Sequence, residues 1–404
     1  MQKGPIPIFI ILVFVIIYFA SPLNIGAQTE ITNIEHSFEF GKEIRYKAYL
    51  QTYQPVEKVK IIIWSDGDHH TEEGTVDLQA KSGGYELSYA QDLSTKPLRA
   101  FCQVSYQYEV YYANGEIQQS ETNTFKYEDN RFAWRTLESA PFTLHWYAGD
   151  ATLARSMLEV GHQGLQRVAS LLQLSEPEPV DIYIYTNSVE LQQTLSATGE
   201  SWVAGHADPD LGVMVVALPE GPDRLLLAEQ RLPHELMHIM LYRSVGAGYA
   251  NLPIWLSEGM ASQAELYPNP DYQVMLDAAY KKQALYPMVS LCRTFPRPAQ
   301  EALLAYSQSA SFVRFIYHTY GSRGLNTLIN HYADGLDCEK GVQASLGVSL
   351  NDLERRWRQE TFRENAAQLA LSKIMPWLLL MFTILLAPVG LALPHWFKKA
   401  RQPA

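Results

Sequence analysis

Three residues with evident chemical potential stand close together in the run His234-Glu235-Leu236-Met237-His238. On an α-helix, positions i and i+4 lie about 40° apart around the axis, so both imidazoles leave the same face. Two nitrogen donors on adjacent turns can reach one metal ion, and borderline-soft nitrogen suits zinc. Glu235 sits between them, close enough to act on a water at that metal without ligating the metal itself. A catalytic zinc takes a third protein ligand and keeps one position open. Glu258 is the expected third ligand. It stands in the helix-like run Trp255-Leu256-Ser257-Glu258-Gly259-Met260-Ala261, which Trp255 and Leu256 tie to the core.

An H-E-x-x-H motif followed by W-L-x-E-G-x-A resembles the gluzincin metallopeptidases, the clan of thermolysin-like and aminopeptidase-like enzymes. The later run Tyr306-Ser307-Gln308-Ser309-Ala310-Ser311-Phe312-Val313 is similar to one in small bacterial membrane-anchored members, which also carry an all-β domain in front. The likeness spans residues 140–366. It implies a zincin-like catalytic domain, Glu258 as third zinc ligand, and metal-assisted hydrolysis of peptide bonds with Glu235 as general base. It also implies an oxyanion donor from a later helix. Tyr306 is the candidate, with His206 and His331 as weaker alternatives and an ordinary core tyrosine as the other reading of Tyr306. The strand just before the metal helix, 213–216, is expected to border the cleft and pair with extended substrate backbone. The G-x-M-E-N stretch by which aminopeptidases of this clan hold a free amine is missing, which favours an endopeptidase.

Stepping outward, ligand histidines donate their free N–H to a carboxylate or carbonyl. Glu265, two turns after Glu258 on a continued helix, could serve, although a solvated surface glutamate is the simpler expectation. Pro233 removes a helix hydrogen bond unless it lies in the first turn. The metal helix therefore either starts near residue 232 or follows a separate helical piece, 225–231, across a kink. Strands at 142–147, 180–185, 202–205 and 213–218 and helices at 153–172 and 189–195 precede it. Helices at 272–285, 302–320, 324–333 and 350–363 follow, with a loop-rich stretch over 287–298.

Residues 28–135 read as β. Alternating segments at 38–40, 44–50, 59–64, 85–89, 100–112 and 123–127 are separated by turns such as Ser82-Gly83-Gly84 and Ala113-Asn114-Gly115. Six or seven strands in about a hundred residues suggest an immunoglobulin-like β-sandwich. It holds no catalytic cluster, and His69 and His70 fall in a polar, loop-like context. The fold class is thus multidomain α+β: the sandwich over 28–135, a catalytic α/β domain over 136–370, and membrane signals at both ends.

Those signals are an apolar run over 6–20 behind Lys3, read as part of a signal peptide covering 1–27, and an apolar stretch over 374–397. The latter is long enough to span a bilayer once. Lys398, Lys399 and Arg401 follow it, so the positive-inside rule puts the tail 398–404 in the cytoplasm and the catalytic domain outside the cell membrane.

The 404 residues, 47% hydrophobic and 19% charged, describe a folded chain with room for two or three domains. A formal net charge of −11 with no basic cluster in the soluble part excludes nucleic acid as a natural partner. Cys102, Cys292 and Cys338 are too few for a disulfide framework. Cys292 and Cys338 either pair or remain buried thiols. Two further readings stand beside the peptidase: a binding or adhesion module on a zincin scaffold, and a zinc hydrolase of a non-peptide bond. An inert scaffold has no use for Glu235.

Overall fold

A computed structural model describes residues 30–66, 71–174, 178–195, 204–363, 374–382 and 384. The expected signal peptide, His69 and His70, Trp202 and Val203, and the tail lie outside the described residues. Two compact units form: one built from residues up to Phe125, the other from Lys126 onward together with Pro97–Gln103.

Among the described residues, the first unit is built on nine strands in two sheets. In one, β1 (Glu30–Glu39), β2 (Glu43–Gln51), β6 (Gly84–Asp92) and β5 (Asp77–Lys81) lie in the order β1-β2-β6-β5. In the other, β4 (Glu72–Thr75), β3 (Val56–Ser65), β7 (Gln103–Tyr112) and β8 (Ile117–Gln119) run β4-β3-β7-β8, with β9 (Asn123–Lys126) also on β7. Strict alternation along β7 buries Val104, Tyr106, Tyr108 and Val110. Tyr106 meets Tyr46 of β2 with ring centroids 4.8 Å apart, so the inner faces of the two sheets form one core. Strands β4, β5 and β8 are too short and polar to show a period of two.

The second unit centres on a sheet in the order β10-β11-β12-β14-β13: β10 (Arg135–Ser139), β11 (Phe142–Trp146), β12 (Val180–Tyr185), β14 (Val213–Ala217) and β13 (Gly205–Asp208). Strands β11, β12 and β14 are parallel, and β10 and β13 close the two edges antiparallel. This corrects the expectation that 213–216 borders the cleft. Strand β14 is buried along its whole length between β12 and β13, as its unbroken Val-Met-Val-Val-Ala run requires. The edge belongs to β13, which lies eight residues earlier in the chain than the expected 213–216.

Helix α1 (Ala151–Leu171) is started by Asp150, whose carboxylate accepts from the N–H groups of Thr152 and Leu153. It leads from β11 to β12, and after the short α2 (Ser188–Thr194) comes the long α3 (Arg224–Val245). Neither sequence option for Pro233 holds, because α3 runs through it unbroken. The proline frees the carbonyl of Glu229, one turn back, and the N–H of Leu266 takes it at 2.9 Å. Gly164 of α1 supplies the room: a Cβ there would sit 3.0 Å from Pro233 Cγ.

Helix α4 (Ile254–Ala264) is buried nearly all round, as a helix in the middle of a core must be. It crosses α6 (Ala299–Ala333) at Gly259, where a Cβ would lie 2.6 Å from the Ser309 carbonyl oxygen and 2.3 Å from Val313 Cγ2. Main chain cannot step aside as a side chain can. Gly259→Ala is therefore expected to cost about 1–3 kcal/mol, read as a lower urea midpoint at unchanged m. Gly321, at φ 69°, bends α6 where the sequence ends one helix and begins another. Helices α5 (Asp271–Lys281), α7 (Cys338–Leu346) and α8 (Leu350–Phe362) complete the unit. Helix α7, nine residues long, goes unanticipated.

Cys292 and Cys338 form a disulfide, while Cys102 is buried and takes no part in it. The bridge lies beneath the start of α4: the Ile254 N–H donates to the Cys292 carbonyl at 3.0 Å, and Trp255 Nε1–H points to Cys338 Sγ at 3.4 Å. It closes 46 residues, so replacing both cysteines with serine is expected to cost about 4 kcal/mol by chain-entropy reasoning. Urea unfolding of the wild type with and without reductant should show the same difference. Among the described residues no helix is long and apolar enough to cross a membrane. Residues 374–382 are helical and exposed, and apart from 384 the rest of the expected span lies outside the described residues.

Candidate metal centre

Helix α3 presents His234 and His238 one turn apart, with ring centroids 5.3 Å apart. Helix α4 brings Glu258 to them. Its Oε2 lies 3.4 Å from Nε2 of His234 and 3.6 Å from Nε2 of His238. Donor atoms held about 2.0–2.1 Å from one zinc at tetrahedral angles are about 3.4 Å apart, so Glu258 stands from each histidine close to the spacing a shared zinc needs. One atom from each lies within 4.8 Å of the others, and this is the one such trio of His, Cys, Asp or Glu among the described residues.

The opposite ring nitrogens are also occupied. Nδ1 of His234 lies 3.2 Å from Oε1 of Glu265, and Nδ1 of His238 lies 3.0 Å from the Tyr249 hydroxyl. Oε1 of Glu265 accepts the Nδ1–H of His234, which orients the ring so that Nε2 faces Glu258. Glu265 was expected to be solvated; instead its side chain is 5% exposed. Helix α4 ends at Ala264, and Glu265 takes extended backbone. The chain therefore turns back, and the Leu266–Glu229 bond pins that turn beside His234. Its second oxygen, Oε2, accepts from the Asn269 N–H at 3.2 Å. Tyr249, in the 3-10 turn Gly246–Asn251 after α3, was not foreseen, since a tyrosine in a Gly-Ala-Gly loop carries no sequence signal.

Electrostatics favour the charged forms of His234 and Glu258. Burial alone would push the His234 pKa down, but hydrogen bonds to Glu258 and Glu265 and the charge of Glu235 raise it well above 6.5. Burial likewise favours a neutral Glu258, yet the charge of His238 and hydrogen bonds from both histidines hold its carboxyl well below the usual range.

Glu235 is buried and faces a cavity of about 280 Å³, lined also by Gly205, Arg231, His234, Glu265, Tyr272 and Tyr306. A Cβ on Gly205 would lie 2.5 Å from Glu235 Oε1, so strand β13 passes directly over that carboxylate. The Ala217 N–H donates to the Ala204 carbonyl, which makes the next pair, Gly205 and Val216, a non-hydrogen-bonded one. The main-chain groups of Gly205 and Ala207 thus point away from β14, on the open edge. Tyr306 shares the cavity with Glu235, its ring edge-on to Phe295 at 5.1 Å. His206 is not among the residues lining this cavity and lies 3.6 Å from Asp208, and His331 bonds Ser345 on α7 at 2.9 Å.

Residues 160–362 match a family profile described as Peptidase MA superfamily. No curated protein sequence matches the chain. Among solved structures, it is similar to an aminopeptidase N family protein from Idiomarina loihiensis at 6% identity and TM-score 0.33, covering 80% of this chain and 71% of that one. A polysaccharide deacetylase from Bacillus cereus aligns at 9% identity and TM-score 0.19, over 45% of this chain and 59% of that one. A purple acid phosphatase from yellow lupin (Lupinus luteus) seeds aligns at 11% and 0.20, over 48% and 34%. The family match covers half of the chain and includes both helices of the His234, His238 and Glu258 trio: the chain belongs to the Peptidase MA superfamily.

Proposed function

We propose that this chain is a membrane-anchored, extracytoplasmic zinc metallopeptidase that cuts internal peptide bonds. The observation that carries the reading is the convergence of His234, His238 and Glu258 at ligand spacing, with Glu235 in the adjoining cavity. His234, His238 and Glu258 would hold the ion, while Glu265 and Tyr249 set the two imidazole rings. When bound, zinc lowers the pKa of a coordinated water toward about 7 and polarises the scissile carbonyl. Glu235 takes the proton of the attacking water and delivers it to the leaving amine. Tyr306 donates its hydroxyl proton in a hydrogen bond to the developing oxyanion. An extended substrate pairs with the outward main-chain groups of Gly205 and Ala207, which places a peptide bond over Glu235.

The extracytoplasmic placement is supported by the Cys292–Cys338 bridge, a feature of oxidising compartments, and by the apolar stretches at 6–20 and 374–397. The first unit is proposed to be an immunoglobulin-like accessory domain. Its strand order, with β1-β2-β6-β5 facing β4-β3-β7-β8, is that of such sandwiches.

The test is digestion of an unfolded protein by the full-length, zinc-loaded chain, read by mass spectrometry. Cuts inside the polypeptide that stop with a chelator and return with zinc are expected. Intact substrate in the presence of stoichiometric bound zinc would sink the peptidase reading and leave the non-peptide hydrolase.

A further inference from the structure

Arg231 stands one turn before Glu235 on the same face of α3 and lines the same cavity, beside Gln230 and Asn269. Its Nη1 donates to the carbonyl oxygen of Ala217, at the end of β14. No carboxylate oxygen among the described residues lies within 4.0 Å of the guanidinium. Other partly buried arginines of this unit are treated differently. Arg99 is held by Asp208 at 2.8 Å and Asp210 at 2.7 Å, and Arg131 by Asp129 at 2.7 Å. Burial presses the Arg231 pKa down, and only the more distant charge of Glu235 acts against it. A desolvated guanidinium with unused donors is the side chain best suited to grip a carboxylate with two parallel hydrogen bonds.

The neighbouring wall is rich in donors as well. The Asn269 side-chain oxygen accepts from the Asp271 N–H at 3.0 Å, which leaves its amide N–H groups for other partners. The nearby carboxylate of Glu265 is already engaged by His234 and the Asn269 N–H. Four residues of helix rise about 6 Å, and an extended peptide advances about 3.3 Å per residue. A group gripped by Arg231 therefore lies about two residues from a bond held over Glu235.

We propose that Arg231, with Gln230 and Asn269, forms a specificity subsite for a carboxylate of the substrate, placed within about two residues of the scissile bond. The proposal rests on the peptidase reading. The carboxylate can come from an acidic side chain or from the terminus of the peptide, and the two sources separate in the test.

Zinc-loaded full-length protein is given paired peptides, one set differing only as Glu against Gln near the cut, the other as free acid against amide at the C-terminus. Binding of the same pairs to the Glu235→Gln protein is followed by fluorescence anisotropy, which needs no turnover. A preference of about 10–100-fold for the carboxylate member is expected in kcat/KM and in binding. Glu over Gln assigns the side chain; free acid over amide, with cuts confined to the last bonds, assigns the terminus. Arg231→Gln should erase the preference, Arg231→Lys keep part of it, and Arg231→Glu turn it toward Lys or Arg. Equal binding of both members of each pair by the wild-type subsite overturns the proposal, as does a preference that survives Arg231→Gln. The peptidase reading fails separately, if the zinc-loaded wild type cuts no member of any pair.

Discussion

Glu235→Gln is expected to lower kcat for peptide cleavage by about 10²–10⁴-fold while the protein keeps its zinc. Glutamine matches glutamate in shape and fits beneath Gly205, where the close approach of β13 leaves no spare volume. What it loses is the ability to accept and return a proton. Glu235 is not among the three side chains that converge at ligand spacing, so metal content should not change. Progress curves on a quenched-fluorescence peptide, set beside zinc content by atomic absorption, check both halves. Activity above a tenth of wild type would move the base elsewhere. Loss of zinc would make Glu235 a ligand.

Glu258→Ala is expected to do the reverse, abolishing activity through loss of the metal. Removing an outer partner of a ligand weakens metal binding about 10–100-fold, and that is the size expected for Glu265→Gln. Glu258 supplies one of three donor atoms and is also the anion that both histidines face, so its loss should exceed that range. A competition titration with a chromophoric chelator would rank the two variants. The same titration has a predictable pH dependence. In the metal-free protein His234 keeps its proton above the usual histidine range, and zinc must displace it. Affinity should rise as pH increases from the acid side and level off only above that raised pKa. A flat profile between pH 6 and 8, or equal affinities for the two variants, would contradict the ligand assignment.

The chemistry of the site is more legible in the sequence than its architecture. His234, His238 and Glu235 declare themselves because one helix carries all three, and helical spacing is a local property. Glu258 is legible through the apolar run around it. Glu265 and Tyr249 escape because each reaches a histidine through a turn, and turns have no period to read. Strand β13 is misplaced for a related reason. Four residues at a sheet edge, flanked by small residues, look weaker than the continuous Val-Met-Val-Val run, although the run marks the buried neighbour and not the rim. Arg231 could have been found, since it lies a turn before Glu235 on an already recognised helix. Only the absence of a nearby carboxylate among the described residues gives it meaning, and pairing is invisible before the chain is folded.

The unbroken passage of α3 through Pro233 bears on how the site comes together in time. A proline inside a helix costs about 3 kcal/mol, so this segment gains little from forming alone. Its missing rung is filled only when Leu266 arrives, and Leu266 follows directly on Glu265. Completion of the metal helix and delivery of the carboxylate to His234 are therefore one event. The Leu266 amide becomes a reporter for it: the rate at which this single proton exchanges with deuterium measures how often His234 is left without its orienting partner.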